Sequence, residues 1–195
     1  MQTIRAAAIG AAVVTLIGCQ DMRVEDFSAR EPKLDLFQYF EGRSRAWGIF
    51  EDRFGRLRRE FTVDIVGRRQ GAADFVLEED FVYADGETQR RVWRLRQISP
   101  GVYEGEADDV IGTAQGQSSG NALNWRYALA LKIGETNWNV DFNDWMFLQP
   151  DGVLLNRARV SKWGIGIGEV TLSFQRAAPA KAEMLDAPAL KSVAR

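Results

Sequence analysis

The chain has 195 residues, a formal net charge of −2, and 46% hydrophobic and 11% aromatic residues. This apolar content is enough for a folded core, and the interspersed, nearly balanced charge disfavours nucleic-acid binding, which needs a basic face. The sequence has no histidine and a single cysteine, which excludes Ser-His-Asp and Cys-His nucleophiles and leaves carboxylate chemistry, a hard cation such as calcium, or no catalysis.

Residues 1–18 have the layout of an export signal, with the basic Arg5, an apolar stretch over 6–17 and the small Gly18. The stretch is about a dozen residues, shorter than the roughly 20 that a spanning helix needs. The run Leu16-Ile17-Gly18-Cys19 resembles the bacterial lipobox. That resemblance implies cleavage before Cys19 and attachment of lipid to its thiol. The alternative is an ordinary secretory signal with an incidental cysteine.

The residue after the lipidated cysteine influences sorting in Gram-negative lipoproteins, where aspartate favours the inner membrane. Here that residue is Gln20, so the resemblance implies the periplasmic leaflet of the outer membrane, while Asp21 leaves the inner membrane open. Residues 19–33 are polar without a clear period, which is typical of a tether. We expect a single domain over 34–176 and a flexible tail, rich in alanine, proline and lysine, over 177–195.

The rest of the chain reads as short strands separated by turn sequences such as Asp85-Gly86 and Pro150-Asp151-Gly152. Residues 34–40 form either a short helix or an irregular lead-in. The strands are expected near 47–53, 57–66, 73–83, 88–98, 102–107, 110–119, 122–133, 138–148, 153–162 and 169–176. Short strands at this spacing, with no long helical period, favour an all-β sandwich or barrel.

Two of these strands show clear alternation. In 123–133 the alternate residues from Leu123 to Ile133 are apolar or aromatic, as a strand with one buried face requires. In 138–148 the same pattern is interrupted by Asp144, while Trp145 and Phe147 are apolar on the opposite face, so the outer face is expected to be covered. Asp144 is therefore a candidate for a buried carboxylate with a raised pKa. The alternative is an ion pair, with Arg126 or Arg157.

The Asp85-Gly86 pair predicts a hairpin, because both central residues of a type I′ turn need positive φ. Counting outward from a two-residue loop makes Asp80 and Arg91 cross-strand neighbours, which matches their charges. The glycines of 164–168 lack the helix that a phosphate loop requires, so they predict a bend or bulge. An acidic patch, Glu104, Glu106, Asp108 and Asp109, is either a calcium site or a solvated surface.

Six segments together resemble a proteobacterial lipoprotein family known as domain of unknown function 3833. They are AWGIFEDR (46–53), FTVD (61–64), DFVY (80–83), DGETQRRVW (85–93), GNALNWRY (120–127) and DWM (144–146). The resemblance spans 34–176 and implies no established activity or ligand. A second, architectural resemblance is to lipocalin-like barrels, although Trp47 precedes Gly48 and the lipocalin Gly-x-Trp signature is not reproduced. It implies an antiparallel up-and-down barrel of nine or ten strands.

The leading hypothesis is a membrane-anchored barrel that binds an apolar ligand such as a fatty acyl chain or lipid. No cofactor and no metal are expected, and no catalytic residue is assigned. The expected lining of a cavity is Trp47, Trp93, Trp125, Tyr127, Trp138, Phe142 and Asp144. One alternative is an envelope interaction protein whose solid barrel docks a protein partner. Another is a carboxylate-dependent enzyme, which needs two carboxylates that converge in a cleft.

Overall fold

The structure is a computed structural model that describes residues 22–133 and 136–177. Ten antiparallel strands form one closed barrel in which each strand pairs with its neighbours in sequence and the first pairs with the last. The strands are β1 (Gly42–Asp52), β2 (Leu57–Arg69), β3 (Asp74–Tyr83), β4 (Thr88–Ser99), β5 (Val102–Glu106), β6 (Val110–Ser119), β7 (Ala122–Ile133), β8 (Thr136–Leu148), β9 (Leu154–Lys162) and β10 (Ile165–Arg176). The predicted all-β, up-and-down barrel is confirmed.

The alternation of the sequence places one face of each strand inside the barrel. In β9, Leu154, Asn156, Ala158 and Val160 are buried and the residues between them are exposed. This period of two is what a strand between a core and solvent shows. The inner positions are mainly aliphatic and aromatic, so closing the sheet removes most of the apolar surface from water.

A short helix, α1 (Leu36–Phe40), closes one end of the barrel. Its first turn is capped by Asp35, whose carboxylate accepts a hydrogen bond of 2.8 Å from the backbone N–H of Gln38. Phe37 stacks on Phe75 with ring centres 4.8 Å apart, and Phe40 meets Phe174 edge-on at 5.4 Å. We call this end the α1 end, and the opposite end, which carries the β1–β2, β3–β4, β5–β6 and β9–β10 turns, the open end.

The segment before α1 differs from the expected tether over the residues that the structure describes. A 3₁₀ helix, Val24–Phe27, lies on the outer wall, and Phe27 packs on Trp145 and Phe147 with ring centres 5.9 and 5.3 Å apart. Gly120 accommodates this segment, because a Cβ there would overlap the carbonyl of Phe27. The apolar outer face of β8 is therefore covered, as its sequence predicted. Cys19, the export signal and the tail beyond residue 177 lie outside the described residues.

The Asp85-Gly86 hairpin forms, but its predicted register is wrong by one residue. Tyr83 N–H donates to the carbonyl of Glu87, so the loop has three residues and ends at Gly86, with φ of 87°. Asp80 consequently pairs with Arg90, and their side chains form a surface ion pair of 3.0 Å. Arg91 points into the barrel instead, because a slip of one residue moves a side chain to the other face.

The glycine-rich segment forms a turn and a bulge, as predicted. Trp163 and Gly164 both have positive φ, 52° and 77°, in the turn between β9 and β10. The pairing of these two strands then shifts between Gly166 and Gly168. The segment therefore reverses the chain at the open end of the barrel.

Candidate ligand cavity

The barrel encloses a cavity of about 190 Å³ that opens away from α1. Leu36 and Phe40 form its floor, and its walls reach Tyr83 and Leu131 near the open end. The barrel closes around a cavity because ten strands make a wider interior than the eight that side chains just fill. The volume exceeds the roughly 150 Å³ of a dry apolar cavity that binds benzene. The cavity is therefore large enough for a ring or a short alkyl segment.

Four aromatic side chains form one wall of the cavity. The ring of Trp93 lies edge-on to Trp125 and to Tyr127, at 5.8 and 5.4 Å, and Tyr127 stacks on Phe142 at 5.0 Å. Trp125 fits because its neighbour Gly116 has no side chain; a Cβ there would overlap the indole ring. Such a wall offers a large apolar surface with a few polar edges.

Five of the seven side chains predicted to line a cavity lie there: Trp93, Trp125, Tyr127, Phe142 and Asp144. The prediction is wrong for Trp47 and Trp138. Trp47 follows the buried Ala46, so alternation turns it outward, where it is 45% exposed. Trp138 is on the inner side of β8 but lies beyond the cavity. Its side chain is 37% exposed, and the Lys162 ammonium lies 3.6 Å from its ring centre.

The cavity wall also carries charged and polar groups, several of which the sequence patterns did not identify. The interior polar cluster, as we call it, consists of the cavity-lining Glu79, Arg91, Tyr127, Asp144 and Asn156 together with Asp109, which binds Arg91. Arg91 donates from Nε to Asp109 at 3.0 Å and from Nη2 at 2.7 Å, and its Nη1 lies 3.9 Å from the Glu79 carboxylate. The guanidinium is therefore engaged by two carboxylates of the protein itself.

Asp144 is buried, with 5% of the residue exposed. This agrees with the interpretation of the sequence as a buried carboxylate. Its Oδ2 accepts a hydrogen bond of 3.3 Å from Asn156, whereas Oδ1 has no hydrogen-bond partner among the described residues. Burial raises the pKa of Asp144 to about 7, against the opposing effects of Asn156, Arg91 and the nearby Tyr127 hydroxyl. The predicted ion pair is not formed: Arg157 pairs with Glu169 at 3.5 Å, and Arg126 lies on the outer face.

Burial perturbs two further members of the cluster. It raises the pKa of Glu79 to about 7, although the nearby Arg91 favours the ionised form. It also raises the pKa of Tyr127 well above its usual value, and the negative Asp144 acts in the same direction. Buried groups with perturbed pKa values that face one cavity are typical of functional sites.

The sequence did contain a signal for the missed residues. Arg91 shares its strand parity with Trp93 and Leu95, and Glu79 with Leu77 and Phe81, so both lie on apolar faces. The predicted pairing of Arg91 with Asp80 followed from the loop length, not from this alternation. Asn156 has the same signal, because it alternates with the buried Leu154 and Ala158.

The acidic patch does not form a calcium site among the described residues, where no group of three or more acidic side chains is placed to hold a metal ion. Asp109 is bound by Arg91, and Asp108 lies at the surface 3.5 Å from Arg94. Within the same residues, no helix has both the length and the apolar character needed to cross a bilayer.

These features define a class, that of small closed antiparallel barrels with an interior cavity. A family model described as "Protein of unknown function (DUF3833)" matches residues 13–176. The chain therefore belongs to this family, as its sequence segments indicated. No curated protein matches the chain.

Among solved structures, the chain is similar to the S-type phycobiliprotein lyase CPES from Guillardia theta. The TM-score is 0.57 at 8% sequence identity, and the match covers 82% of this chain and 100% of that chain. Similarity at this identity supports the barrel fold, and the function must be argued from the cavity itself.

Proposed function

We propose that the protein is a lipid-anchored protein of the bacterial cell envelope whose barrel binds an apolar molecule, such as a fatty acyl chain or a lipid. The observation that carries the proposal is the cavity of about 190 Å³, which aliphatic and aromatic side chains line together with a few polar groups. Ligand sites of proteins commonly have this composition. A chain longer than the cavity extends through the open end.

The anchor is the second part of the proposal and depends on the lipobox, Leu16 to Cys19. A diacylglycerol on Cys19 holds the barrel beside a bilayer, because each buried methylene contributes about 0.8 kcal/mol. With Gln20 after the cysteine, the proposed location is the periplasmic leaflet of the outer membrane. The intact mass of the mature protein tests this part: it should correspond to a chain that starts at a lipidated Cys19, and a retained leader or an unmodified thiol would refute it.

The cavity disfavours the alternative of a solid barrel that only docks a protein partner. The binding proposal is tested by extracting purified full-length protein with organic solvent and identifying the released molecules by mass spectrometry. An apolar compound should be found at near-stoichiometric amount. Its absence would refute the binding proposal.

A pair of matched variants localises such a compound to the cavity. Ala158 lines the cavity, so Ala158→Leu fills part of it, whereas Ala128 lies on the outer face of β7. Ala158→Leu should retain much less of the compound than the wild type, and Ala128→Leu should retain the same amount. Equal retention by both variants would place the compound outside the barrel.

A carboxylate-dependent enzyme is a second candidate, because Glu79 and Asp144 line the same cavity and burial raises both pKa values to about 7. Such groups can donate and accept protons near neutral pH. Hydrolysis of a short-chain acyl ester that falls at least a hundred-fold in Asp144→Asn would favour this candidate. Equal rates in the two proteins would exclude this role for Asp144.

A further inference from the structure

The cavity contains two hydrogen-bond acceptors that the protein leaves without a partner among the described residues. They are Oδ1 of Asp144 and Oδ1 of Asn156, on side chains that are 5% and 3% exposed. Both side chains line the cavity, and Asn156 Nδ2 donates to the other Asp144 oxygen at 3.3 Å. Because a buried acceptor without a donor is destabilising, the pair is suited to a ligand that brings a donor.

The cluster has no comparable place for an anionic ligand. Arg91 is the cation of the cluster, and Asp109 occupies both its Nε and its Nη2 at 2.7 to 3.1 Å. Its remaining Nη1 faces the carboxylate of Glu79 at 3.9 Å. A fatty carboxylate would therefore have to displace a carboxylate that the protein already supplies.

The net charge of the cluster also favours a cationic ligand over an anionic one. Among the described residues, three carboxyl groups, Glu79, Asp109 and Asp144, share a single guanidinium, that of Arg91, so the cluster is net negative above pH 7, where Glu79 and Asp144 ionise. A bound cation reduces this imbalance in surroundings where charge interactions are strong. The aromatic neighbours also favour a cationic ligand. Trp125 is the cross-strand partner of Asp144, and the faces of aromatic rings attract cations.

We propose that the apolar molecule held in the cavity carries a protonated amine, which donates hydrogen bonds to Oδ1 of Asp144 and Oδ1 of Asn156. This inference rests on the proposed binding function and specifies the chemical class of its ligand. The alkyl or aryl part then lies along Trp125, Tyr127 and Phe142, and the ammonium lies at the two acceptors.

Three octyl compounds that differ in one polar group test the inference: octylamine, octanol and octanoate. Each is titrated into full-length protein at about pH 8, where an alkylamine is protonated and Asp144 is largely ionised. Binding is followed by titration calorimetry and by the fluorescence of the tryptophans in the cavity wall. Octylamine should bind at least ten-fold more tightly than octanoate, with octanol between them, because the carboxylate of Asp144 attracts an ammonium, hydrogen-bonds a neutral hydroxyl and repels a second carboxylate.

Asp144→Asn keeps the shape of the side chain and removes its charge, so it should weaken octylamine binding about ten-fold or more and octanol binding clearly less, because only octylamine also loses an ion pair. Asp141→Asn is the matched control, since Asp141 lies on the exposed face of the same strand. It should leave all three affinities unchanged.

The outcomes separate the two proposals. The amine proposal would be refuted if octanoate bound as tightly as octylamine, or if Asp144→Asn left the octylamine affinity unchanged. Either result would still be consistent with the cavity as a binding site for apolar molecules. If none of the three compounds binds to the wild-type protein, the proposed function fails together with the amine proposal.

Discussion

The α1 end and the interior polar cluster are built on opposite principles. At the α1 end aromatic rings fill the interior: Phe37 stacks on Phe75, and the Tyr39 hydroxyl lies 3.1 Å from the carbonyl oxygen of Phe174 and 3.2 Å from that of Gly152. In the interior polar cluster, Asp144 and Asn156 each keep an oxygen without a hydrogen-bond partner among the described residues. One region is filled by packed aromatic rings, while the other keeps buried ionisable groups beside a cavity.

This difference assigns different roles to the two regions. Dense aromatic packing stabilises a fold, and the α1 end has it. Buried carboxylates with unused hydrogen-bonding capacity lower stability, and they are retained where binding or chemistry uses them. The comparison therefore predicts that substitutions in the α1-end packing away from the cavity, such as at Phe37, affect stability alone, whereas substitutions in the interior polar cluster affect both stability and ligand binding.

Phe37→Ala should give the largest loss of stability. Phe37 is fully buried against Phe75 and Tyr103, and removal of a buried phenylalanine ring costs about 3 to 5 kcal/mol. Denaturant unfolding of the variant measures the loss. Phe54→Ala is the control, because Phe54 is exposed at the open end and should change stability by less than about 0.5 kcal/mol. Similar losses in the two variants would contradict a packed α1 end.

The pH dependence of stability should reveal the buried Asp144. Its pKa is about 7 in the folded protein, against an ordinary value of 3.8, so between about pH 4 and pH 7 the folded state keeps a proton that the unfolded state releases. The free energy of unfolding therefore falls as pH rises through this window, by up to about 4 kcal/mol for a shift of this size. Glu79 acts in the same direction.

Asp144→Asn isolates this effect, because it removes the ionisable group and keeps the shape. The variant should show a shallower decline than the wild type between about pH 4 and pH 7 and be more stable above it. Asp141→Asn, on the exposed face of β8, should keep the wild-type profile. A wild-type stability that rises steadily from pH 4 to pH 7 would show that these carboxylates are not buried as described.

Arg91→Met should destabilise the protein by about 3 kcal/mol, since it leaves Glu79 and Asp109 without their cation. Arg90→Met tests the neighbouring residue on the same strand. Arg90 lies outside in contact with Glu78 and Asp80, and exposed ion pairs contribute at most about 1 kcal/mol. Unfolding by urea at neutral pH compares the two variants. A larger loss of stability in Arg90→Met would show that Arg90, and not Arg91, faces the barrel interior.

Ala158→Leu should give the smallest change in stability, a gain of about 1 kcal/mol or none, because the new side chain fills existing space in the cavity. The same variant should lose ligand binding. Thermal unfolding and octylamine titration measure the two properties on one sample. A loss of stability above about 2 kcal/mol would mean that this part of the barrel is already filled.

The sequence predicted the strands well because each inner residue alternates with an outer one. All ten predicted strands are present, although β1 begins at Gly42 and β10 at Ile165, four or five residues before the predicted starts. The inner positions of β7, from Leu123 to Leu129, and the buried Asp144 in β8 were found from the same pattern. Local periodicity was sufficient for these features, since a strand with one buried face carries its orientation in its own sequence.

The cluster was predicted less well, because it depends on how strands meet. The length of the loop at Asp85-Gly86 decides which of Arg90 and Arg91 faces Asp80, and a two-residue and a three-residue loop differ by one position. The contact of Arg91 with Asp109 joins residues 18 positions apart across another turn. Packing of Phe27 on Trp145 is also a long-range contact that no local pattern contains.

A crystal structure of the full-length protein with octylamine tests the central claim most directly, because it shows whether the barrel interior is the binding site. The alkyl chain should lie inside the barrel along Trp125 and Tyr127, with its nitrogen within about 3.2 Å of Asp144 Oδ1. A compound bound only on the outer surface beside Trp47, with the interior filled by protein side chains, would contradict the account.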